Sequence, residues 1–176
     1  MSKICKGCMK PYEDEFNICP LCGYLSNSYI VGNNISISDG LGGFTYIGWD
    51  AVLKQKVYIK EYKKNLLPKL FSIAINHNLD MILEEAHFLI KFNKLEGINK
   101  FFDSFILNDA VYIIMEYLEG ETLADHLKRE VILPDEAIAM LMPIIKSLQI
   151  MHEQGIIHGD ISPNNIFLTN DGRVIK

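Results

Sequence analysis

The chain has 176 residues, 49% of them hydrophobic and 22% charged, with a formal net charge of −5 and an isoelectric point near 5.5. That balance excludes a disordered segment, and without a basic surplus there is no electrostatic footprint for nucleic acid. No apolar run approaches the roughly 20 residues that cross a bilayer, and cysteines sit where a signal peptide would have its apolar core, so a cytoplasmic chain with no membrane segment is expected.

All four cysteines fall at the start of the chain, as Cys5-Lys6-Gly7-Cys8 and Cys19-Pro20-Leu21-Cys22. Each CxxC turn aims two thiolates at one point, and four thiolates complete the closed tetrahedral shell that structural zinc prefers. A segment this short cannot bury a core, so metal binding would have to supply its folding energy. Disulfides or a redox pair are the competing reading, and no oxidising compartment is indicated. The pairs resemble a zinc ribbon over residues 1–24. Gly23 suits the turn behind the second pair, while Met9 departs from the pattern after the first. Residues 25–33 read as a linker passing into a first strand.

Residues 34–118 read as a small strand-rich lobe. Ile35 to Ser38 alternates as a strand, Asp39-Gly40-Leu41-Gly42-Gly43 is a glycine turn, and Phe44 to Trp49 is a second strand. Glycines at such a tip let backbone N–H groups approach phosphates closely, although most glycine clusters between strands are plain hairpins. Lys56 to Tyr62 alternates as a third strand and sets Lys60 among apolar neighbours. Leu79, Ile82, Leu83, Ala86 and Ile90 recur at helical spacing with Glu84 and Glu85 between them. Ile98 to Leu107 and Val111 to Tyr117 are two more apolar strands, joined at Asn108-Asp109-Ala110.

Residues 119–176 turn helical. Thr122 can cap a short helix through Arg129, and Pro134-Asp135-Glu136 opens a longer one in which Ile138, Leu141, Met142, Ile145 and Leu148 share a face. Pro143 lies inside that helix, and Gly155 ends it. Then comes Ile156-Ile157-His158-Gly159-Asp160-Ile161-Ser162-Pro163-Asn164-Asn165, a polar loop between apolar segments. It is followed by a strand from Ile166 to Thr169, the hairpin signal Asn170-Asp171-Gly172, and Arg173-Val174-Ile175-Lys176.

The loop resembles the catalytic loop of protein kinases, and the ordered set of glycine turn, Lys60, Glu85, the strand ending at Met115, Asp160 and Asn165 extends the resemblance over residues 35–176. It implies an α+β fold: a small lobe of antiparallel sheet plus one helix, then the first part of a helical large lobe, behind an N-terminal zinc ribbon. It also implies ATP and magnesium as cofactors and serine/threonine phosphorylation as the reaction. Lys60, held by Glu85, would pair with the nucleotide phosphates under the backbone of Gly40, Gly42 and Gly43. Met115 would back the adenine pocket, and the backbone from Glu116 to Leu118 would bond the adenine edge. Asp160 would be the base and Asn165 a magnesium ligand.

Several features depart from that family. The glycine turn is shortened, Gly159 replaces an arginine, Ser162 replaces a lysine near the transferred phosphate, and neither Asp-Phe-Gly nor Ala-Pro-Glu occurs. The 176-residue chain is therefore expected to bind nucleotide weakly and not to transfer phosphate, with a protein substrate or a partner that covers the incomplete large lobe. The rival expectation is a non-catalytic, pseudokinase-like or zinc-ribbon interaction module.

Overall fold

The computed structural model describes residues 2–25, 28–34, 43–63, 83, 86–87 and 90–176. The expected strand at Ile35 to Ser38, Gly40, Gly42, Glu85 and most of the first expected helix lie outside them. The chain forms two compact units: residues 1–90 with 101–117, and residues 91–100 with 118–176. Among the described residues no helix is long and apolar enough to cross a membrane.

In the first unit, β1 (Ser2–Ile4) and β2 (Pro11–Glu13) pair antiparallel on either side of the first CxxC turn. Five further strands follow: β3 (Tyr29–Asn34), β4 (Gly43–Asp50), β5 (Gln55–Lys63), β6 (Phe101–Leu107) and β7 (Ala110–Glu116). They form one antiparallel sheet in the order β3-β4-β5-β7-β6. Short turns make this order natural. Asp50 is buried, and its Oδ1 accepts from Val52 N at 2.8 Å and Leu53 N at 3.0 Å, closing the β4–β5 turn. Asn108 adopts φ 47° in the β6–β7 turn, a conformation that asparagine tolerates.

Side chains alternate across β5, so its two faces meet different partners. Val57 and Ile59 pack with Leu25, Tyr29, Val31, Tyr112 and Ile114, and Ile18 from the cysteine-bearing segment joins them. Tyr62 packs on the other face with Val111, Ile113, Met115 and the helical residues Leu83 and Ala86. The sheet is thus buried on both sides, by the cysteine segment on one and by a helix on the other.

The linker expected at 25–33 is corrected by this arrangement. Leu25, Tyr29 and Val31 are core residues, and Tyr29 already begins β3, because alternation along this strand turns Tyr29 and Val31 onto the face that carries Val57 and Ile59. The sixth strand likewise starts at Phe101 rather than Ile98.

In the second unit, β8 (Gly120–Thr122), β9 (Phe167–Thr169) and β10 (Val174–Ile175) form a small sheet in the order β10-β9-β8. Thr122 caps α1 (Leu123–His126), its hydroxyl accepting from Asp125 N at 3.1 Å. The long helix α2 (Pro134–Glu153) starts with proline, and the Glu136 carboxylate returns to Leu133 N at 3.1 Å. Its buried residues are Ile144, Ser147 and Met151, with Ile144 in a cluster with Leu123 and Ile166. Of the expected face, Leu141 and Leu148 pack against that cluster, whereas Ile138 and Ile145 are 56% and 49% exposed, so the face is corrected in part. The helix is apolar on nearly every side, so periodicity alone did not select the stripe that faces inward.

Candidate functional site

Three groups of side chains carry chemistry. The first is the cysteine cluster, whose four sulfurs lie within 4.8 Å of one another. Cys5 and Cys22 sulfurs are 3.5 Å apart, and Cys8 and Cys19 sulfurs 3.9 Å, far beyond the ~2.05 Å of a disulfide. All four thiols are free, and Cys5 and Cys19 are buried. Burial pushes the Cys5 thiol up, but the N–H groups of Cys8 and Gly7, aided by the Cys22 and Cys19 thiols, outweigh it and bring it down to about 6. Cys22 receives the Tyr24 N–H, yet burial and the three neighbouring thiols push it up to about 12. Sulfurs packed this closely resist ionising together, and a cation among them relieves that resistance. The cluster is therefore a donor set of the kind that holds a metal ion.

Local backbone shapes both turns. Met9 takes φ 59°, the left-handed conformation that a glycine would occupy without strain. Gly23 has φ 72°, and a Cβ there would lie 2.1 Å from the Val31 carbonyl oxygen. That close approach is used: Val31 N donates to Gly23 O at 2.6 Å, joining the second cysteine turn to β3.

The second group lies on β5 and β7. Lys60 is half-buried, pairs in register with Thr45 and Ile113, and by alternation projects on the face that carries Tyr62 and Met115. Met115 and Glu116 end β7 half-buried, and Gly43 opens β4 opposite Tyr62. Leu118 is buried and belongs to the second unit.

The third group is the polar loop of the second unit. Both of its ends are tied to that unit's core: Ile156 N donates to Met151 O at 3.0 Å, and Leu123 N to Ile166 O at 2.7 Å. Between them Gly159 takes φ 72°, which explains why glycine serves where a side chain would strain the turn. Pro163–Asn165 forms a single 3-10 turn, with Asn165 N donating to Ser162 O at 3.0 Å. The turn brings the Asn165 side-chain amide to Asp160 Oδ2 at 2.7 Å. Asp160 stays exposed, and Lys176 Nζ lies 3.7 Å from the same carboxylate oxygen. An exposed carboxylate oriented by a neighbouring carboxamide suits phosphoryl transfer.

Sequence reasoning missed three participants. Lys176 carried no local signal, since Arg-Val-Ile-Lys reads only as a strand. Glu61 and Asn17 are the others. Glu61 is 1% exposed and accepts from the Tyr46 hydroxyl at 2.8 Å and from the Tyr112 hydroxyl, while Asn17 donates to Tyr112 Oη at 3.1 Å. An unbroken alternation through Lys60-Glu61-Tyr62 was the available hint that Glu61 faces inward.

The protein kinase domain family matches residues 35–176. The serine/threonine-protein kinase STE20 of Eremothecium gossypii is 27% identical over 160 residues, covering 91% of this chain and 16% of that protein. STE20 of Debaryomyces hansenii is 30% identical over 141 residues, covering 80% of this chain and 12% of the relative. Human serine/threonine-protein kinase PAK 4 is 33% identical over 79 residues, 45% of this chain and 13% of that one. The chain thus spans less than a fifth of the length of these relatives. The solved structure PpkA-294 apo form shares the fold, with a TM-score of 0.68 and 22% identity over 91% of this chain and 60% of that one.

Proposed function

The chain belongs to the protein kinase family, and on that premise we propose that it contributes the nucleotide-binding lobe and the catalytic loop of a serine/threonine kinase. The reaction is transfer of the ATP γ-phosphoryl group to a protein hydroxyl. The observation that carries the reading is the Asn165-to-Asp160 hydrogen bond at 2.7 Å in a loop tied to the core at both ends. Asp160 accepts the hydroxyl proton, Asn165 would hold magnesium through its carboxamide oxygen, and Lys60 neutralises the nucleotide phosphates. By family resemblance Met115, Glu116 and Leu118 would border the adenine, Gly40, Gly42 and Gly43 would cover the phosphates, and Glu85 would steady Lys60. When bound, magnesium supplies charge neutralisation on the phosphate oxygens.

On this reading the domain limits are a ribbon over residues 1–24, a small lobe that ends at Tyr117, and large-lobe residues from Leu118 onward together with 91–100, so the boundary expected after Leu118 moves by one residue. A zinc ion fits the ribbon. Tetrahedral zinc with bonds of about 2.3 Å spaces its sulfurs about 3.8 Å apart, close to the 3.5 and 3.9 Å separations of the two sulfur pairs. The cellular setting consistent with free thiols and ATP is the cytoplasm.

The experiment is a transfer assay with labelled ATP on this chain joined to the remaining large lobe of a related kinase, alongside the Asp160→Asn variant of the same fusion. Transfer in the parent and at least a hundredfold loss in the variant are expected; equal transfer in both would refute the assignment of Asp160.

A further inference from the structure

The outer face of the small-lobe sheet is where the fold does something its nucleotide chemistry does not require. Glu61 directly follows Lys60, and alternation sends the two side chains to opposite faces of β5. On the outer face the Glu61 carboxylate accepts from both the Tyr46 and the Tyr112 hydroxyls, and Lys63 Nζ lies 3.5 Å away. Asn17, in the segment between the two cysteine pairs, reaches this group: its amide donates to Tyr112 Oη at 3.1 Å and to Leu107 O at 3.3 Å, and it accepts from Asn108. Ile18 packs beside it against the cluster that contains Val57 and Ile59, and Gly23 O takes the Val31 N–H. The cysteine-bearing segment is thereby hydrogen-bonded to β3, β6 and β7 and packed on the face that carries Ile59.

We propose that metal loading of the cysteine cluster and nucleotide binding at Lys60 are coupled through β5, the Asn17–Tyr112–Glu61 relay holding the outer face of the strand whose inner face presents Lys60. The inference rests on the nucleotide role of Lys60 and on metal binding by the four cysteines. Its physical basis is simple. A segment of this length has no core of its own, so without metal it does not hold Asn17 and Ile18 in place. Glu61 then loses the outermost member of its hydrogen-bond relay, and Ile59 loses cover. Both residues flank Lys60, so freedom gained by them is freedom gained by the lysine, and ordering it again opposes nucleotide binding. Linkage requires the reverse effect as well, with nucleotide tightening metal. A pocket of about 350 Å³ lies beside these contacts, lined in part by Asn17, Ile18, Glu61 and Lys63. Glu61 is a positioning residue in this scheme and touches no reactant.

The test compares the intact protein loaded with zinc against the same protein after a zinc-selective chelator. Hydrogen exchange at residues 57–63 should speed by on the order of tenfold on metal removal, with residues 134–153 unchanged, and ATP–magnesium affinity should fall by a similar factor. Asn17→Ala, which keeps all four cysteines, should retain zinc yet show the loosened β5 and weakened nucleotide binding even when loaded. Glu61→Gln, which keeps an acceptor for the tyrosines, should retain most of the coupling, and Glu61→Leu should lose it. Unchanged exchange at 57–63 while residues 5–24 open would overturn the proposal, as would equal loosening of residues 134–153. If ATP binds in neither state, the nucleotide reading fails by itself, and the exchange data still decide whether metal holds β5.

Discussion

The Asn165 side-chain amide donates to Asp160 Oδ2 at 2.7 Å, so one residue orients the carboxylate of the other through its amide nitrogen. Both side chains are exposed, and their contact adds little to stability. Asn165→Ala should change the unfolding free energy by no more than about 0.5 kcal/mol while abolishing the magnesium dependence of nucleotide binding. Binding that keeps its full magnesium dependence in the variant would remove Asn165 from the metal's ligands.

Neighbouring residues on α2 offer a sharp contrast. Ile144 is 2% exposed against Leu123 and Ile166, whereas Ile145 is 49% exposed. Ile144→Ala should cost about 2–5 kcal/mol, and Ile145→Ala about 0.5 kcal/mol or less. Urea denaturation of both variants measures the difference. Equal losses would mean that the inward face is the one the apolar spacing first suggested.

That helix also marks the limit of what the sequence discloses. β5 and β7 were legible because Lys56 to Tyr62 alternates and because Asn108 punctuates the turn, and the Thr122 cap was legible from hydroxyl chemistry alone. The Asp160–Asn165 loop stood out because its polar residues interrupt two apolar runs. The inward stripe of α2 was legible only in part: Leu141 and Leu148 pack inward as their spacing predicts, but Ile144 and Met151 are the buried residues and Ile138 and Ile145 are exposed, the helix offering apolar side chains on several sides. The docking of Asn17 on Tyr112 was also hidden, because it joins residues far apart in the chain through side chains with no pattern between them. Masked in the same way was the role of Leu25 to Val31, whose small polar neighbours mimic a linker.

On the outer face of the sheet, Tyr112 both donates to Glu61 and accepts from Asn17. Tyr112→Phe leaves a buried carboxylate short of a donor and should destabilise the chain by about 1–3 kcal/mol. A loss below ~0.5 kcal/mol in urea titration would show that the relay carries no weight.

Burial first, and then hydrogen bonding to Glu61, raise the phenol groups of Tyr112 and Tyr46, and burial with Asp103 and Asp50 raises that of Tyr29. A raised folded pKa means the folded chain holds the proton more tightly than the unfolded one. The associated stability is complete below the unfolded value of about 10 and is lost as pH rises beyond it. The melting temperature should therefore decline above pH ~10, and less steeply in Tyr112→Phe. A midpoint that rises with alkalinity would contradict this.

Metal content tests the ribbon directly. One zinc per chain is expected for the parent, and a substoichiometric, chelator-labile amount for Cys19→Ser with Cys22→Ser, since two thiolates cannot complete a tetrahedral shell. Equal zinc in both proteins would show that the four cysteines are not the ligands.

Nucleotide titration tests the central claim, that these 176 residues hold the ATP side of a kinase site. ATP with magnesium should bind the parent chain with a dissociation constant above the micromolar range, because Asp-Phe-Gly, with its metal-binding carboxylate, is not among these residues and the glycine turn is short. Phosphate transfer by this polypeptide alone should fall below detection for the same reason. Lys60→Ala should weaken binding at least tenfold, since the ammonium is the cation supplied to the phosphates. Submicromolar affinity in the parent, or the same affinity in the parent and in Lys60→Ala, would contradict the account.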